Sequence, residues 1–323
     1  MLSIRFCILF SLVILSCSCA TGPEEYELPS DIPQDFYRSI TGCGDPYAGC
    51  VVSSVGKIFV VNLLGGDMSV IDMSSYTLVK EIELEGDFSY GIFFDSEANS
   101  VYATCGRYLS FVDPSSCELT RSIDLGETLY DVAANSNCIF VSVRWEDCVY
   151  VVDKSNYQVT DTIAVSSGPK GLAISPTGDR LYVANSEGKS LSVIDTATNL
   201  VVALIPLDGA PHRLCFSPDG SSVYVTCGST LQQVNTSQFE VDRKITVDGG
   251  SGGLCTVDDG KFVYVACPGE GQVSVVSTTS WVVAGHISCP DGFRMYRMVF
   301  ANPNGSEVYA TTENYPYAID VFN

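Results

Sequence analysis

A five-residue apolar motif recurs seven times along this chain, and no other feature constrains its fold as strongly. The first copy reads IFVVN and the fifth reads VYVTC. The copies begin 38 to 45 residues apart, at Ile58, Val101, Ile139, Leu181, Val223, Val263 and Val308. Self-similarity at a period of about 40 residues is typical of proteins built from stacked or radially arranged repeats.

The fourth unit shows how each repeat is built. A short apolar segment from Gly171 is followed by a turn, the five-residue motif, a second apolar segment ending at Asp195 and a third ending at Leu207. Gly178 lies in the first turn, where a tight hairpin needs a positive φ angle, and glycine recurs there in later units. Four short strands in about 40 residues, without helical periodicity, are the pattern of a β-propeller blade.

The two ends of the chain are predicted to build one blade together. The seventh unit stops one strand short, while residues 35–42 have a strand pattern and directly precede the first unit. Pairing of these segments would close the ring and remove an exposed sheet edge. We therefore predict an all-β fold, a seven-bladed β-propeller of four-stranded antiparallel blades over residues 35–323, with the last blade completed by an N-terminal strand.

Residues 1–34 have the pattern of a targeting segment and a tether. Arg5 precedes an apolar run, residues 6–15, that is too short to span a bilayer but fits a signal peptide. The run is followed by Cys17 in a pattern similar to a lipoprotein cleavage site. We predict a lipoprotein-type signal peptide at residues 1–16, lipidation of Cys17 and a tether at residues 17–34. Ordinary secretion with cleavage near Ala20 is the alternative.

Lipidation would place the protein on a membrane of the bacterial envelope, in the periplasm, at the outer membrane or on the cell surface. Nucleic acid is not an expected partner, because the formal net charge of −21 repels phosphate backbones. The chain has two histidines and no paired cysteine motif, so we predict neither a metal site nor a cofactor. We expect a monomer.

The cysteines leave the disulfide pattern open. Of 14 cysteines, three lie before residue 20, and the remaining 11 cannot all pair within one chain. Cys138 and Cys148 flank a short hairpin and are the predicted possible disulfide, since export permits disulfides. Small buried thiols that fill the space between blades are the alternative for the cysteines of the inner strands.

One row of equivalent positions is the candidate binding site. The start of each inner strand lines the mouth of the central channel of a propeller. The equivalent residues there are Tyr47, Tyr90, Tyr130, Lys170, His212, Gly252 and Arg297. Cations beside tyrosine rings could bind an anionic or aromatic small molecule, or the tip of a partner loop. Alternatively, these positions are polar because the channel is hydrated.

A second set of recurrent polar residues is interpreted as structural. An aspartate ends the third strand of several units, namely Asp72, Asp113, Asp153 and Asp195. Each is followed within three residues by serine or threonine at a turn, where an aspartate bonds nearby backbone N–H groups. We therefore do not interpret them as a ring of catalytic carboxylates.

The repeat units resemble the YVTN β-propeller repeat family of bacterial and archaeal surface and periplasmic proteins. The resemblance covers about residues 36–323 and is closest over residues 181–227, from LYVAN through SVIDTATN to VYVTC. It implies a propeller but no particular activity. No nucleophile elbow, HExxH or phosphate-binding motif occurs. We expect an envelope-anchored binding or scaffold module; the alternative is a propeller enzyme, a lactonase-like hydrolase or a quinone-dependent dehydrogenase.

Overall fold

The computed structural model describes residues 36–247, 249–250, 252–257, 260–288, 295–313 and 317–322. Within them lie 28 strands and two single-turn 3₁₀ helices, at Ser53–Val55 and Arg144–Glu146. The strands form seven sheets of four strands each, and each sheet is one blade. The predicted signal peptide, Cys17 and the tether lie outside the described residues.

Blades one to three follow one another along the chain, and in each the first strand lies nearest the axis and the fourth is outermost. The chain begins with β1 (Phe36–Thr41), which belongs to the last blade. Blade one consists of β2 (Pro46–Val52), β3 (Lys57–Asn62), β4 (Asp67–Asp72) and β5 (Thr77–Glu83). Blade two consists of β6 (Ser89–Asp95), β7 (Ser100–Cys105), β8 (Tyr108–Asp113) and β9 (Glu118–Asp124). Blade three consists of β10 (Leu129–Ala134), β11 (Cys138–Val143), β12 (Cys148–Asp153) and β13 (Val159–Ala164).

The remaining blades repeat the same order. Blade four consists of β14 (Pro169–Ile174), β15 (Arg180–Asn185), β16 (Ser190–Asp195) and β17 (Leu200–Pro206). Blade five consists of β18 (Pro211–Phe216), β19 (Ser222–Cys227), β20 (Thr230–Asn235) and β21 (Glu240–Thr246). Blade six consists of β22 (Leu254–Thr256), β23 (Phe262–Cys267), β24 (Gln272–Ser277) and β25 (Val282–Ile287). Blade seven consists of β26 (Tyr296–Ala301), β27 (Val308–Thr312), β28 (Ala318–Phe322) and, outermost, β1.

Each blade is packed between two neighbours, which explains why its middle strands are apolar on both faces. In β15 every residue except Arg180 is buried. Leu181 lies in a core cluster with Phe140 of blade three, whereas Tyr182 lies in a different cluster with Val223 of blade five. Since successive side chains of a strand point to opposite faces, this strand serves two interfaces between blades. The inner strands β2, β6, β10, β14, β18, β22 and β26 contact one another in that order, and β26 contacts β2. The ring is therefore closed.

The ends of the chain meet in blade seven, as the sequence predicts. β1 pairs antiparallel with β28, with Ile40 opposite Ile319. The buried carboxylate of Asp320 in β28 accepts hydrogen bonds from Ser39 of β1 and from Tyr296 of β26, at 2.5 and 2.8 Å. The N-terminal strand is thus bonded into the last sheet by side chains as well as by its backbone.

The outer strands share an isoleucine that the repeat alignment did not reveal. Each outer strand has isoleucine opposite the second residue of its neighbouring strand. The seven are Ile40, Ile82, Ile123, Ile163, Ile205, Ile245 and Ile287. Ile40 occupies this position in β1, so β1 has the sequence character of an ordinary outer strand although it precedes the first blade.

The predicted turn chemistry is confirmed. Gly178 has a φ angle of 74°, in the left-handed region that favours glycine. Asp195 Oδ1 accepts the backbone N–H groups of Ala197 and Thr198 at 3.1 and 3.0 Å. The equivalent aspartates of blades one to three accept backbone N–H groups in the same way. These carboxylates therefore stabilise the turns before the outer strands.

The predicted disulfide between Cys138 and Cys148 is wrong for this fold. Cys148 lies opposite Val143, whereas Cys138 lies five residues away along β11, opposite Asp153. At a rise of about 3.3 Å per residue, the cysteines are about 17 Å apart along the hairpin, whereas a disulfide needs Cα atoms within about 7 Å. Both thiols are free. The two cysteines lie at opposite ends of the paired strands and are not cross-strand neighbours.

Candidate functional site

The candidate site lies where the inner strands begin. We call the row of seven equivalent positions the channel mouth; it consists of Tyr47, Tyr90, Tyr130, Lys170, His212, Gly252 and Arg297. Six of them are near the start of an inner strand, and Gly252 precedes β22. The structure brings the side chains of four of them into one contact network across the channel, and Arg297 joins that network at Tyr47.

Three tyrosines form the centre of the network. The rings of Tyr90 and Tyr130 stack with centroids 4.7 Å apart, and Tyr47 meets Tyr90 edge-on at 5.7 Å. The hydroxyl oxygens of Tyr47 and Tyr130 are 3.2 Å apart. Tyr47 and Tyr130 are 6% and 8% exposed, so most of each of these two rings is covered by protein. Blades one, two and three are joined by this tyrosine layer.

His212 extends the layer to blade five. Its Nε2 atom lies 3.2 Å from the Tyr130 hydroxyl oxygen. Burial, followed by the positive charges of Arg213 and Lys170, lowers the pKa of His212 to about 3. The imidazole is therefore neutral at physiological pH. It can exchange a hydrogen bond with tyrosine but does not contribute a positive charge to the mouth.

Arg213 packs against the tyrosine layer from the channel interior. Its guanidinium lies 5.6 and 5.4 Å from the ring centroids of Tyr47 and Tyr130. Nη1 donates to Asp131 Oδ2 at 2.6 Å, and Nη2 donates to the Tyr90 carbonyl oxygen at 2.8 Å. Arg213 and Asp131 are 6% and 7% exposed, so this is a buried ion pair. It joins blades two, three and five.

Close approach of the inner strands depends on glycine. A Cβ atom on Gly91 would lie 2.6 Å from the Asp131 Cα atom and 2.9 Å from the Tyr130 carbonyl oxygen. Both contacts are with backbone, which cannot move aside as a flexible side chain can. Gly91 therefore fixes the position from which Asp131 reaches Arg213.

Arg297 holds the blade-seven side of the mouth. Nη1 donates to Asp45 Oδ1 at 3.0 Å, and Nη2 lies 3.5 Å from Glu313 Oε1. The guanidinium also lies 5.4 Å from the Tyr47 ring centroid. Asp45 was not among the residues singled out from the sequence, although it precedes Tyr47 by two positions. With two carboxylates beside it, Arg297 is electrically satisfied within the protein.

Lys170 differs from the arginines around it. Its side chain is half-buried, and among the described residues it forms no ion pair or side-chain hydrogen bond. Burial, followed by repulsion from Arg144 and Arg213, lowers the pKa of Lys170 from its usual value. The direct contacts of the network do not include Lys170, although its charge acts on His212. No described carboxylate lies within ion-pair distance of its amine, although the negative charge of Glu187, which bonds Arg144, also acts on it.

The rim beside Lys170 carries an exposed aromatic residue. Arg144 and Trp145 lie in the 3₁₀ turn between β11 and β12, and the Arg144 guanidinium is 4.4 Å from the Trp145 ring centroid. Arg144 also bonds Glu187 at 3.1 Å. Trp145 is 66% exposed. Neither residue was identified from the sequence; the signal was a tryptophan in a polar turn that strand counting places at the mouth end.

A cavity of about 430 Å³ occupies the channel beyond the tyrosine layer. Its lining includes Asp131 and Arg213 but none of the seven mouth residues. The mouth and this cavity are therefore separate spaces with Arg213 between them.

Inward carboxylates at the mouth already have cationic partners. Asp45 and Asp131 are each bonded to an arginine. The described part of the chain brings no three histidine, cysteine, aspartate or glutamate side chains together in a metal-binding arrangement. Over the same residues there is no helix of the length and apolarity needed to cross a bilayer.

Comparison with known proteins supports the fold and leaves the activity open. The β-propeller domain of Cps50 (Swd1) from Myceliophteria thermophila superposes with a TM-score of 0.78 over 90% of this chain and 99% of that domain, at 11% identity. The uncharacterized protein YncE of Salmonella typhi and of Salmonella typhimurium strain LT2 is 31% identical over 188 residues, 54% of this chain. The chain spans about half the length of these curated relatives, 52%. No protein-family model matches it.

Proposed function

We propose that this protein is a binding module of the bacterial envelope, and that its channel mouth binds an anionic group of a ligand or partner loop. The propeller fold suggests a binding or scaffold role in general. The observation that carries the finer proposal is Lys170, a half-buried cation without a carboxylate partner among the described residues, beside an aromatic layer. The neighbouring arginines are satisfied by acidic side chains, so an incoming anion would meet Lys170 first.

The aromatic surroundings favour a flat anion. Tyr90 is half-buried, and Trp145 at the rim is exposed. Aromatic faces and a cation that is not paired are complementary to an aromatic carboxylate, which offers one charge and one planar ring. The chain as a whole is strongly acidic, with a formal net charge of −21, and would repel such a ligand elsewhere. Because the positive charge is local to the mouth of an acidic protein, an anionic ligand is favoured at the mouth and disfavoured elsewhere on the surface.

Benzoate and its neutral isostere benzamide are suitable probes. The chain has two tryptophans, so a Trp281→Phe background leaves Trp145 as the fluorescent reporter at the rim. We expect benzoate to bind with a Kd on the order of 1 mM and benzamide to bind about 10- to 100-fold more weakly, because a hydrogen bond to a charged group contributes about 1.5–3 kcal/mol. Lys170→Met should weaken benzoate binding by the same factor.

The matched control is Lys80→Met, which removes a lysine on the outer strand β5 that already pairs with Glu118. This variant should bind benzoate as the parent protein does. The proposed site is wrong if benzoate fails to bind the parent protein, or if Lys170→Met and Lys80→Met bind it equally.

We also propose that Cys17 is lipidated and that the repeats are of the YVTN type. The support is in the sequence: the apolar run before Cys17, and the seven copies of the strand motif. Cys17→Ala should release the protein from membrane fractions and remove the lipid mass from its N-terminal peptide. Cys19→Ala is the matched control, since cleavage after residue 16 would leave Cys19 two residues inside the mature chain. Equal release by both variants would point to ordinary secretion.

A further inference from the structure

The cavity beyond the tyrosine layer is built as a ring with one residue from every blade. In each blade, the residue two positions after the mouth residue lines the cavity. Six of these carry apolar side chains: Ile92, Val132, Leu172, Leu214, Leu254 and Val299. The seventh is Gly49, where the Phe300 ring lies so close that a Cβ atom would be 2.4 Å from its Cζ atom. The ring of Phe300 thus takes the place of a side chain in blade one, so that every blade contributes an apolar group to the wall, beside polar groups such as Thr256 and Asn302.

One end of the cavity is formed by the buried ion pair of Asp131 and Arg213. The pair is electrically neutral as a unit, with Nη1 2.6 Å from the carboxylate. Both Nη atoms have acceptors, but the Nε atom of Arg213 is buried and donates no hydrogen bond. The buried Nε atom has almost no accessible surface and does not itself face the cavity, whereas each Nη atom carries a second N–H beyond the one that bonds Asp131 or Tyr90.

An N–H group without an acceptor has a cost that a ligand can remove. Leaving such a group unsatisfied costs about 1–3 kcal/mol, whereas an acceptor placed against it recovers a hydrogen bond to a charged group. The apolar groups from the seven blades favour a ligand with an apolar body, and the polar groups between them can accept or donate hydrogen bonds. A charged ligand would lose its hydration without gaining a free counter-ion, because Asp131 already neutralises Arg213. The volume of about 430 Å³ lies within the range typical of small-molecule sites.

We propose that this cavity binds a neutral small molecule with an apolar body and a hydrogen-bond acceptor, and that the guanidinium of Arg213 donates to that acceptor. The site is distinct from the channel mouth, because none of the seven mouth residues lines it. Its ligand is also different in kind, since the mouth offers an unpaired cation and the cavity offers a neutralised one.

Prodan, a neutral naphthyl ketone whose emission increases and shifts to the blue in apolar surroundings, is the probe. We expect saturable binding with a stoichiometry of one. Its analogue 2-(dimethylamino)naphthalene has the same rings without the carbonyl acceptor and should compete at least fivefold more weakly. The anionic dye 1-anilinonaphthalene-8-sulfonate should not compete.

Cavity-filling variants locate the probe. Leu172→Trp and Leu254→Trp each add volume to the apolar ring from a different blade and should raise the Kd for prodan at least tenfold. The matched control is Leu204→Lys, which removes an apolar side chain that is 59% exposed on the outer strand β17. Lys170→Met is the second control, and it separates this cavity from the mouth. Neither control should change the prodan Kd by more than twofold.

Thermal unfolding of each variant shows whether it folds, and the two filling variants serve as alternatives if one of them does not. The proposal is overturned if a folded filling variant binds prodan as the parent does, or if Leu204→Lys abolishes binding. It is also overturned if the analogue without a carbonyl binds equally well, or if the parent binds no prodan. Failure here leaves the benzoate result at the mouth unaffected.

Discussion

Removal of β1 should destabilise the whole ring, because this strand is the outer edge of blade seven. The perturbation is a chain that begins at Gly42, compared with the full chain. Deletion takes away Ile40, which is 2% exposed, and one donor to the buried carboxylate of Asp320. It also exposes β28, whose Ile319 and Val321 are fully buried in the same core cluster.

The magnitude follows from the buried side chain. Five residues of β1 have register partners in β28, and the net gain from their backbone hydrogen bonds, about 1 kcal/mol each, is roughly offset by the 1–2 kcal/mol per residue needed to order the strand. Loss of a buried isoleucine packing site costs about 2–5 kcal/mol. For a domain of this size, that loss lowers the Tm by roughly 4–10 °C.

Circular dichroism during heating measures the effect, and two point variants calibrate it. Ile205 occupies the position in β17 that Ile40 occupies in β1, and it is 1% exposed. Ile40→Ala and Ile205→Ala should therefore lower the Tm by similar amounts if β1 is packed as fully as an outer strand within a continuous blade. Closure by β1 would be refuted if the truncated chain melted at the temperature of the intact one, or if Ile40→Ala had no effect while Ile205→Ala did.

Three further predictions concern titration and packing. His212 has a pKa of about 3 in the fold, against 6.5 ordinarily. The unfolded chain therefore binds more protons, and the unfolding free energy should fall as pH drops from 6.5 toward 3, by at most about 1.4 kcal/mol per pH unit. Denaturant titrations of His212→Gln should show a flatter profile between pH 6.5 and 5. Burial, reinforced by Asp208, raises the pKa of Cys227 to about 12. Ellman's reagent at pH 8 should therefore label Cys227 only on unfolding, and a Cys227→Ser variant that lost one rapidly labelled thiol in the native state would contradict this. Gly91→Ala should cost about 1–3 kcal/mol or more in chemical denaturation, because its Cβ would meet the backbone at Asp131; an unchanged midpoint would show that the inner strands can move apart.

The propeller could be predicted from the sequence because each blade repeats the same local chemistry. Gly178 and Asp195 have roles set by neighbours a few residues away, and such turns recur with the repeat. The closing strand was predictable from the count of strands, and the position of Ile40 would have strengthened that prediction. The disulfide failed because flanking a hairpin says nothing about register: Cys138 lies five residues from the partner of Cys148.

The site was less predictable because it depends on contacts between blades. Equivalence in the repeat places Tyr47, Tyr90 and Tyr130 at one level, but it cannot say whether the three rings contact one another or point apart. Their contact depends on the blade-to-blade distance, which the close contact at Gly91 helps to set. Repeat alignment also treats the equivalent positions of all blades as alike. The unpaired charge of Lys170, however, depends on which carboxylates lie on neighbouring blades.

Arg213 links the two proposed sites, and this determines which substitutions can be interpreted. Its guanidinium contacts the rings of Tyr47 and Tyr130 and also lines the cavity beyond them. Replacing it would leave the carboxylate of Asp131 buried without its counter-charge, which typically costs 3–5 kcal/mol. Loss of binding in an Arg213 variant would therefore follow from disruption of the tyrosine layer as readily as from loss of a ligand contact. Lys170 and Leu172 lie two residues apart on β14 yet face different spaces, so their substitution separates binding at the mouth from binding in the cavity while Arg213 stays in place.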